Sequence, residues 1–120
     1  MKAIDIFYNL VAKLTDKFPD VTWVLFGSHA KGNDKIGSDW DLGILSYQPL
    51  SYSEFRKIKM HCDEICETLP IFVDVVNLMV ADADFKANVI AHSQLISGDE
   101  KLFRGWKQNT HKSYEQNQIA

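Results

Sequence analysis

The sequence contains no apolar run approaching the ~18 residues that a membrane span requires, so no segment reads as a transmembrane helix. It has no excess of positive charge either: 13 Lys and Arg stand against 16 Asp and Glu, a formal net charge of −3. A domain whose main business is coating nucleic acid is usually strongly basic, which sets that class aside. Binding a nucleotide stays open, because it needs only a local positive site. Cysteine is scarce, with Cys62 and Cys66 alone, four apart in a stretch that reads as helical. Together with His61 they fall short of a four-ligand zinc set, and cytoplasmic disulfides are rare, so both read as helix-packing residues. The opening MKAIDIFYNLVAKL carries an acid among its apolar residues and lacks a small-residue cleavage site, unlike a signal peptide. These absences point to the cytoplasm. There is also no internal repeat and no inter-domain linker.

What is present suits one compact domain. A length of 120 residues, with 46% hydrophobic and 12% aromatic, supports a core without staples. Phe7, Leu10, Val11, Leu14 and Phe18 recur at spacings of three and four, which predicts an amphipathic helix over 3–18, ended by Pro19-Asp20. Val21 to Phe26 is short and rich in β-formers and reads as a buried strand. Gly27-Ser28 stops it, and 28–31 begins a short helix. A polar loop over 33–37 leads to a second strand, Asp39 to Leu45. Pro49 and Ser51 precede a helix over about residues 52–68, with Phe55, Ile58, Ile65 and Leu69 on one side. Ile71 to Leu78 is a third strand, 82–93 a further helix, and Gln94 to Ser97 a short edge strand. From Gly98 the chain turns polar, with only Leu102, Phe103 and Trp106 as anchors. That divides it into a domain over 1–98 and a polar, loosely held tail over 99–120, with room for a helical segment, where Trp106 would dock on the domain or on a partner. The order predicts an α/β domain, a small mixed sheet flanked by helices as α-β-α-β-α-β-α.

The chemistry concentrates in VLFGSHAKGNDKIGSDWDLGIL, residues 24–45. Gly27 ends a hydrophobic strand, where the missing side chain lets the backbone approach a ligand. Ser28 adds a hydroxyl, and the start of the short helix leaves backbone N–H groups free for phosphate oxygens. Lys31 lies one turn on and can add positive charge there, or simply be exposed; His29 is open between the same two readings. Asp39 and Asp41, two apart in a strand, leave the same face, while Trp40, Leu42 and Ile44 face the core. Two carboxylates held together repel unless a cation lies between them, and hard oxygen ligands suit Mg²⁺. The plainer alternative is a solvated strand end. Ser38 either closes the loop or touches ligand. Asp74 is a lone acid in IFVDVV, and burying an ionised carboxylate without a partner is costly. The Asp39/Asp41 pair is its natural partner, which would let Asp74 bind a second Mg²⁺, accept a proton from an attacking hydroxyl, or both; a structural acid capping a helix is the alternative. His92 and His111 belong to no recognisable motif and receive no role.

Gly27-Ser28, Asp39-x-Asp41 after ten intervening residues, and Asp74 on a later strand resemble the motif of the DNA polymerase β-type nucleotidyltransferase superfamily. The pattern is most similar to the minimal nucleotidyltransferases, among them the adenylyltransferase antitoxins of HEPN–MNT toxin–antitoxin modules. The resemblance runs from about residue 4 to residue 97 and takes in the order of elements as well as the motif. It implies a Mg²⁺-dependent transfer of a nucleoside monophosphate, AMP from ATP, onto a hydroxyl. Asp39, Asp41 and Asp74 are then catalytic and metal-binding, and Gly27, Ser28, Lys31 and Ser38 bind nucleotide. His29 stands where members of the family often carry Arg, which implies altered triphosphate affinity or nucleotide choice. So short a chain leaves little to recognise an acceptor, and the resemblance implies a co-encoded helical HEPN-type protein as acceptor. A small-molecule acceptor such as an aminoglycoside, with a helical partner chain completing the site, and a non-catalytic module that neutralises a partner by contact, are the competing readings.

Overall fold

The computed structural model describes residues 1–119, with side chains through Lys112. Helix α1 (Ala3–Lys17) buries the predicted stripe, Phe7, Leu10, Val11 and Leu14, and stops at Phe18 before Pro19. Strand β1 (Thr22–Phe26) is buried at every position, because it is central in the sheet and a hydrophobic core covers each of its faces. One turn of helix follows, α2 (Ser28–Lys31), and then β2 (Trp40–Leu45). Helix α3 (Tyr52–Cys66) starts on a reciprocal cap: the Glu54 N–H donates to Ser51 Oγ and the Ser51 N–H to the Glu54 carboxylate. Strand β3 (Val73–Asn77), helix α4 (Ala83–Ile90), strand β4 (Gln94–Ser97) and helix α5 (Glu100–Ile119) complete the described chain.

The sheet is mixed, in the order β3-β2-β1-β4. Strand β1 runs antiparallel to β2 and to β4, and β2 and β3 run parallel. Adjacent antiparallel β1 and β2 bring the end of one, Phe26, level with the start of the other, at Asp41. Both faces of the sheet are covered. Trp23, Leu25, Trp40, Leu42, Ile44 and Val75 face α1 and α3, with Cys62 of α3 in the same core. Val24, Phe26, Leu45 and Leu78 face α4 and α5. Cys62 and Cys66 are free, and burial pushes the Cys62 thiol far up, as befits an inert packing residue.

One open expectation gains detail and one changes. The segment after Gly98 is helical from Glu100, and Phe103, Trp106 and Thr110 are buried, so its first half belongs to the second core. Their spacing of three and four is itself a helical stripe; the polar residues between them had hidden it. The face of β2 that carries Asp41 was expected to be purely chemical. Farther along the strand the same face packs on Leu78 and the helices through Leu45. Only its first residues, at the rim, are left for chemistry.

Candidate active site

The site is built where β1 gives way to α2. Gly27 takes φ +78°, a conformation L side chains rarely adopt, and serves as N-cap of α2. The first hydrogen bond inside the turn is from the Lys31 N–H to the Gly27 carbonyl, 3.1 Å. The amides of Ser28, His29 and Ala30 precede it, the helix-start arrangement that leaves donors for an anion. A Cβ built on Gly27 would overlap the Asp41 carboxylate, so that carboxylate lies directly against the glycine backbone. The backbone N–H groups that open α2 and the Asp41 carboxylate are thus adjacent.

Asp41 pairs with Phe26 on one side and, across the parallel ladder, with Asp74 on the other. Residues level with each other in adjacent strands send their side chains to the same face. Asp41 is half-buried, and its carboxyl is pushed above the ordinary range by that burial, then by the charges of Asp74 and Asp39. His29 acts weakly in the opposite direction. Asp41 therefore feels the charge of both other acids. Asp39, just before β2, and Asp74 are both exposed. This corrects the reason given for Asp74: it is not a buried charge seeking a partner, because β3 is an edge strand open to water. What distinguishes it is register with Asp41.

Among the described residues, no group of three or more His, Cys, Asp or Glu is arranged so that it could hold a metal ion as it stands. The acids share one electrostatic field without forming a preformed cage. Mutual repulsion is the expected state of carboxylates lacking a counter-ion, and a hard divalent cation would relieve it. The chemistry of the donor set fits Mg²⁺.

The remaining predicted residues fall in different places. Ser38 closes the loop: its Oγ accepts from the Lys35 N–H at 2.8 Å, and its own N–H donates to the Lys35 carbonyl at 2.9 Å. Lys31 is exposed at the far end of α2 from Gly27. His29 neither reaches outward nor lies exposed; its side chain is only 9% exposed and turned to the loop. Sequence reasoning missed one further link, Gln94, whose amide donates to the Ala30 carbonyl at 3.3 Å and ties α2 to β4. A lone Gln at a strand start carries no signal of that kind. Beside the acids a groove of about 540 Å³ runs along the β3 edge, lined by Tyr52, Phe55 and Lys59 of α3, by Val80, and by Asp74 itself.

A family described as polymerase beta nucleotidyltransferase matches residues 9–101. The chain belongs to that nucleotidyltransferase family. A probable protein adenylyltransferase MntA from Haemophilus influenzae is 37% identical over 68 residues, covering 57% of this chain and 58% of that relative. The chain thus matches under two thirds of that relative's length. Among solved structures, a toxin–antitoxin with AMP-PNP superposes with a TM-score of 0.75 at 23% identity, covering 93% of this chain and 90% of the other. An MNT antitoxin in complex with tri-AMPylated Shewanella oneidensis HEPN toxin superposes at 0.72 and 20% identity, covering 96% and 89%. At those identities the likeness is one of fold.

Proposed function

We propose that this chain is an adenylyltransferase that moves AMP from ATP onto a hydroxyl of a HEPN-type partner protein, acting as an antitoxin in the cytoplasm. The observation that carries the reading is the register of Asp41 with Asp74, with the Gly27 backbone directly against the Asp41 carboxylate. Nucleotidyltransferase family membership supports the reaction class. The relative named as a probable protein adenylyltransferase, and the fold neighbours described as antitoxin complexes with HEPN toxin and with AMP-PNP, support donor and acceptor. Among the described residues no helix is long and apolar enough to cross a membrane.

In this reaction the acceptor oxygen attacks the α-phosphorus of ATP. The new O–P bond forms as the bond to the β-phosphate bridging oxygen breaks, and pyrophosphate leaves. Asp74 takes the hydroxyl proton; it is exposed, lines the groove at the β3 edge, and so faces the side from which an acceptor can approach. Gly27, Ser28 and the amides opening α2 seat the β and γ phosphates, with Lys31 as a mobile charge at the turn's far end. Ser38 shapes the loop beside them. Asp39 and Asp41 would hold Mg²⁺, with Asp74 completing a second site; bound there, Mg²⁺ supplies charge neutralisation for the triphosphate and the leaving pyrophosphate. Most of the rate gain would come from positioning and electrostatics.

The deciding experiment supplies labelled ATP, Mg²⁺ and the helical protein encoded beside this chain. Label on that protein, lost in Asp39→Ala and Asp41→Ala, supports the reading. Label only on an added small hydroxyl compound moves the function to a small-molecule acceptor. Tight association with no transfer, surviving both substitutions, would reduce the chain to a binding module.

A further inference from the structure

The loop from Gly32 to Ser38 joins the Gly27-Ser28 turn to Asp39, and one side chain spans it. The His29 ring lies flat on the Trp40 indole, centroids 3.6 Å apart and planes 7° apart. Its Nε2 donates to the Ser38 carbonyl at 3.0 Å, and its Nδ1 lies 3.4 Å from the Asp34 carboxylate. We infer that His29 is a positioning residue, locking the 32–38 loop onto Trp40 so that Asp39 and Asp41 present their carboxylates to a divalent cation beside the phosphate turn.

Three features of the geometry carry this. Trp40 stands between the two acids in sequence, and Phe7 of α1 stacks on it at 4.5 Å and 16°. Two rings so close to the indole centre cannot share a face, so Phe7 and His29 hold it from opposite sides. In a strand, fixing one residue's side chain fixes the direction in which its two neighbours leave the backbone. The Ser38 carbonyl belongs to the peptide that enters Asp39, so the bond from His29 sets the orientation of that peptide. And His29 follows Ser28 directly, which joins the anion turn to the acid-bearing strand through one side chain. A ring this enclosed, with both nitrogens turned to the loop, does not serve as a phosphate ligand.

Residues behind metal ligands are typically worth 10–100-fold in metal affinity when removed. The inference rests on the proposed Mg²⁺–nucleotide site, and the test separates the two. His29→Ala and His29→Phe, the latter keeping a ring on Trp40 without the polar contacts, are compared with Phe103→Leu, a control in the opposite core. One readout needs no nucleotide: tryptic cleavage after the exposed Lys31 and Lys35 in the free protein. The other is Mg²⁺-dependent binding of a non-hydrolysable ATP analogue by calorimetry, with Tm alongside. Expected are faster cleavage in both His29 variants and a Mg²⁺ half-saturation raised about ten-fold or more, with neither change in Phe103→Leu despite its lower Tm. Unchanged cleavage, or faster cleavage with unchanged Mg²⁺ dependence, overturns the inference. So do changes that follow Tm equally in all three variants. Should the unaltered protein bind no nucleotide, the proposed function fails, and cleavage alone judges the loop clamp.

Discussion

The space that a side chain would need at Gly27 is filled by the carboxylate of Asp41. Gly27 also holds φ at +78° with ψ at −157°, a region nearly confined to glycine, where an L residue costs roughly 1–3 kcal/mol. Relaxing that angle would turn α2 away from the acids; keeping it would push Asp41 out of line. Gly27→Ala is therefore expected to lose about 2 kcal/mol or more in urea unfolding. AMP transfer should fall further than the unfolded fraction explains, when both are measured on the same sample well below Tm.

The raised carboxyl of Asp41 gives a pH signature. Its folded pKa lies above the unfolded value of 3.8, so the folded state holds the proton more tightly. Stability from this group is fully present below the unfolded pKa and is lost as pH rises through the folded pKa. Asp41→Asn removes the titration. In metal-free buffer the variant is expected to gain stability relative to the native chain as pH rises from about 4 to about 7. Adding Mg²⁺ should stabilise the native chain and not the variant. Urea unfolding across that range checks both; a difference independent of pH would remove Asp41 from the acid cluster.

Much of this site could be read before any coordinates. Asp39, Trp40 and Asp41 alternate cleanly, and a short buried strand ending in Gly27-Ser28 marks both elements and their junction. The edges of elements shifted by a residue or more, as with Asp39, which precedes β2 instead of opening it. Asp74 was singled out for a reason that does not hold. An acid in an apolar run looks buried until strand order is known, and β3 turns out to be an edge. His29 was illegible because its partners, Asp34, Ser38 and Trp40, are joined by a loop closure that no local pattern specifies. Helix α5 was hidden by composition, since three buried positions in ten residues carry its attachment.

That attachment can be weighed at Trp106. The side chain is buried, and among the described residues its indole N–H has no hydrogen-bond partner. Trp106→Ala opens a cavity in the second core and is expected to cost about 3–5 kcal/mol. Trp106→Phe keeps most of the apolar contact and removes the unpartnered donor, whose burial itself costs about 1–3 kcal/mol. The Phe variant should therefore lie within about 1.5 kcal/mol of the native chain. Chemical denaturation of the three proteins tests this, and equal losses in both variants would point to a bond made by the indole N–H.

The acceptor side can be probed without touching the acids. Val80 and Tyr52 are both 75% exposed and both line the groove that Asp74 enters. A protein acceptor must cover such a groove to bring its hydroxyl to Asp74, and burying exposed apolar side chains of this size favours association. Losing one contact of about 1 kcal/mol corresponds to roughly a five-fold change in affinity. Val80→Asp and Tyr52→Ala are therefore expected to raise KM for the protein acceptor roughly five-fold or more, leaving KM for ATP and Tm close to native. A small acceptor needs no such surface, so unchanged kinetics in both variants, with transfer intact, would move the partner elsewhere on the molecule. Asp74→Asn in the same assay should lower kcat and leave acceptor KM near native, because it removes the proposed proton acceptor and keeps the groove.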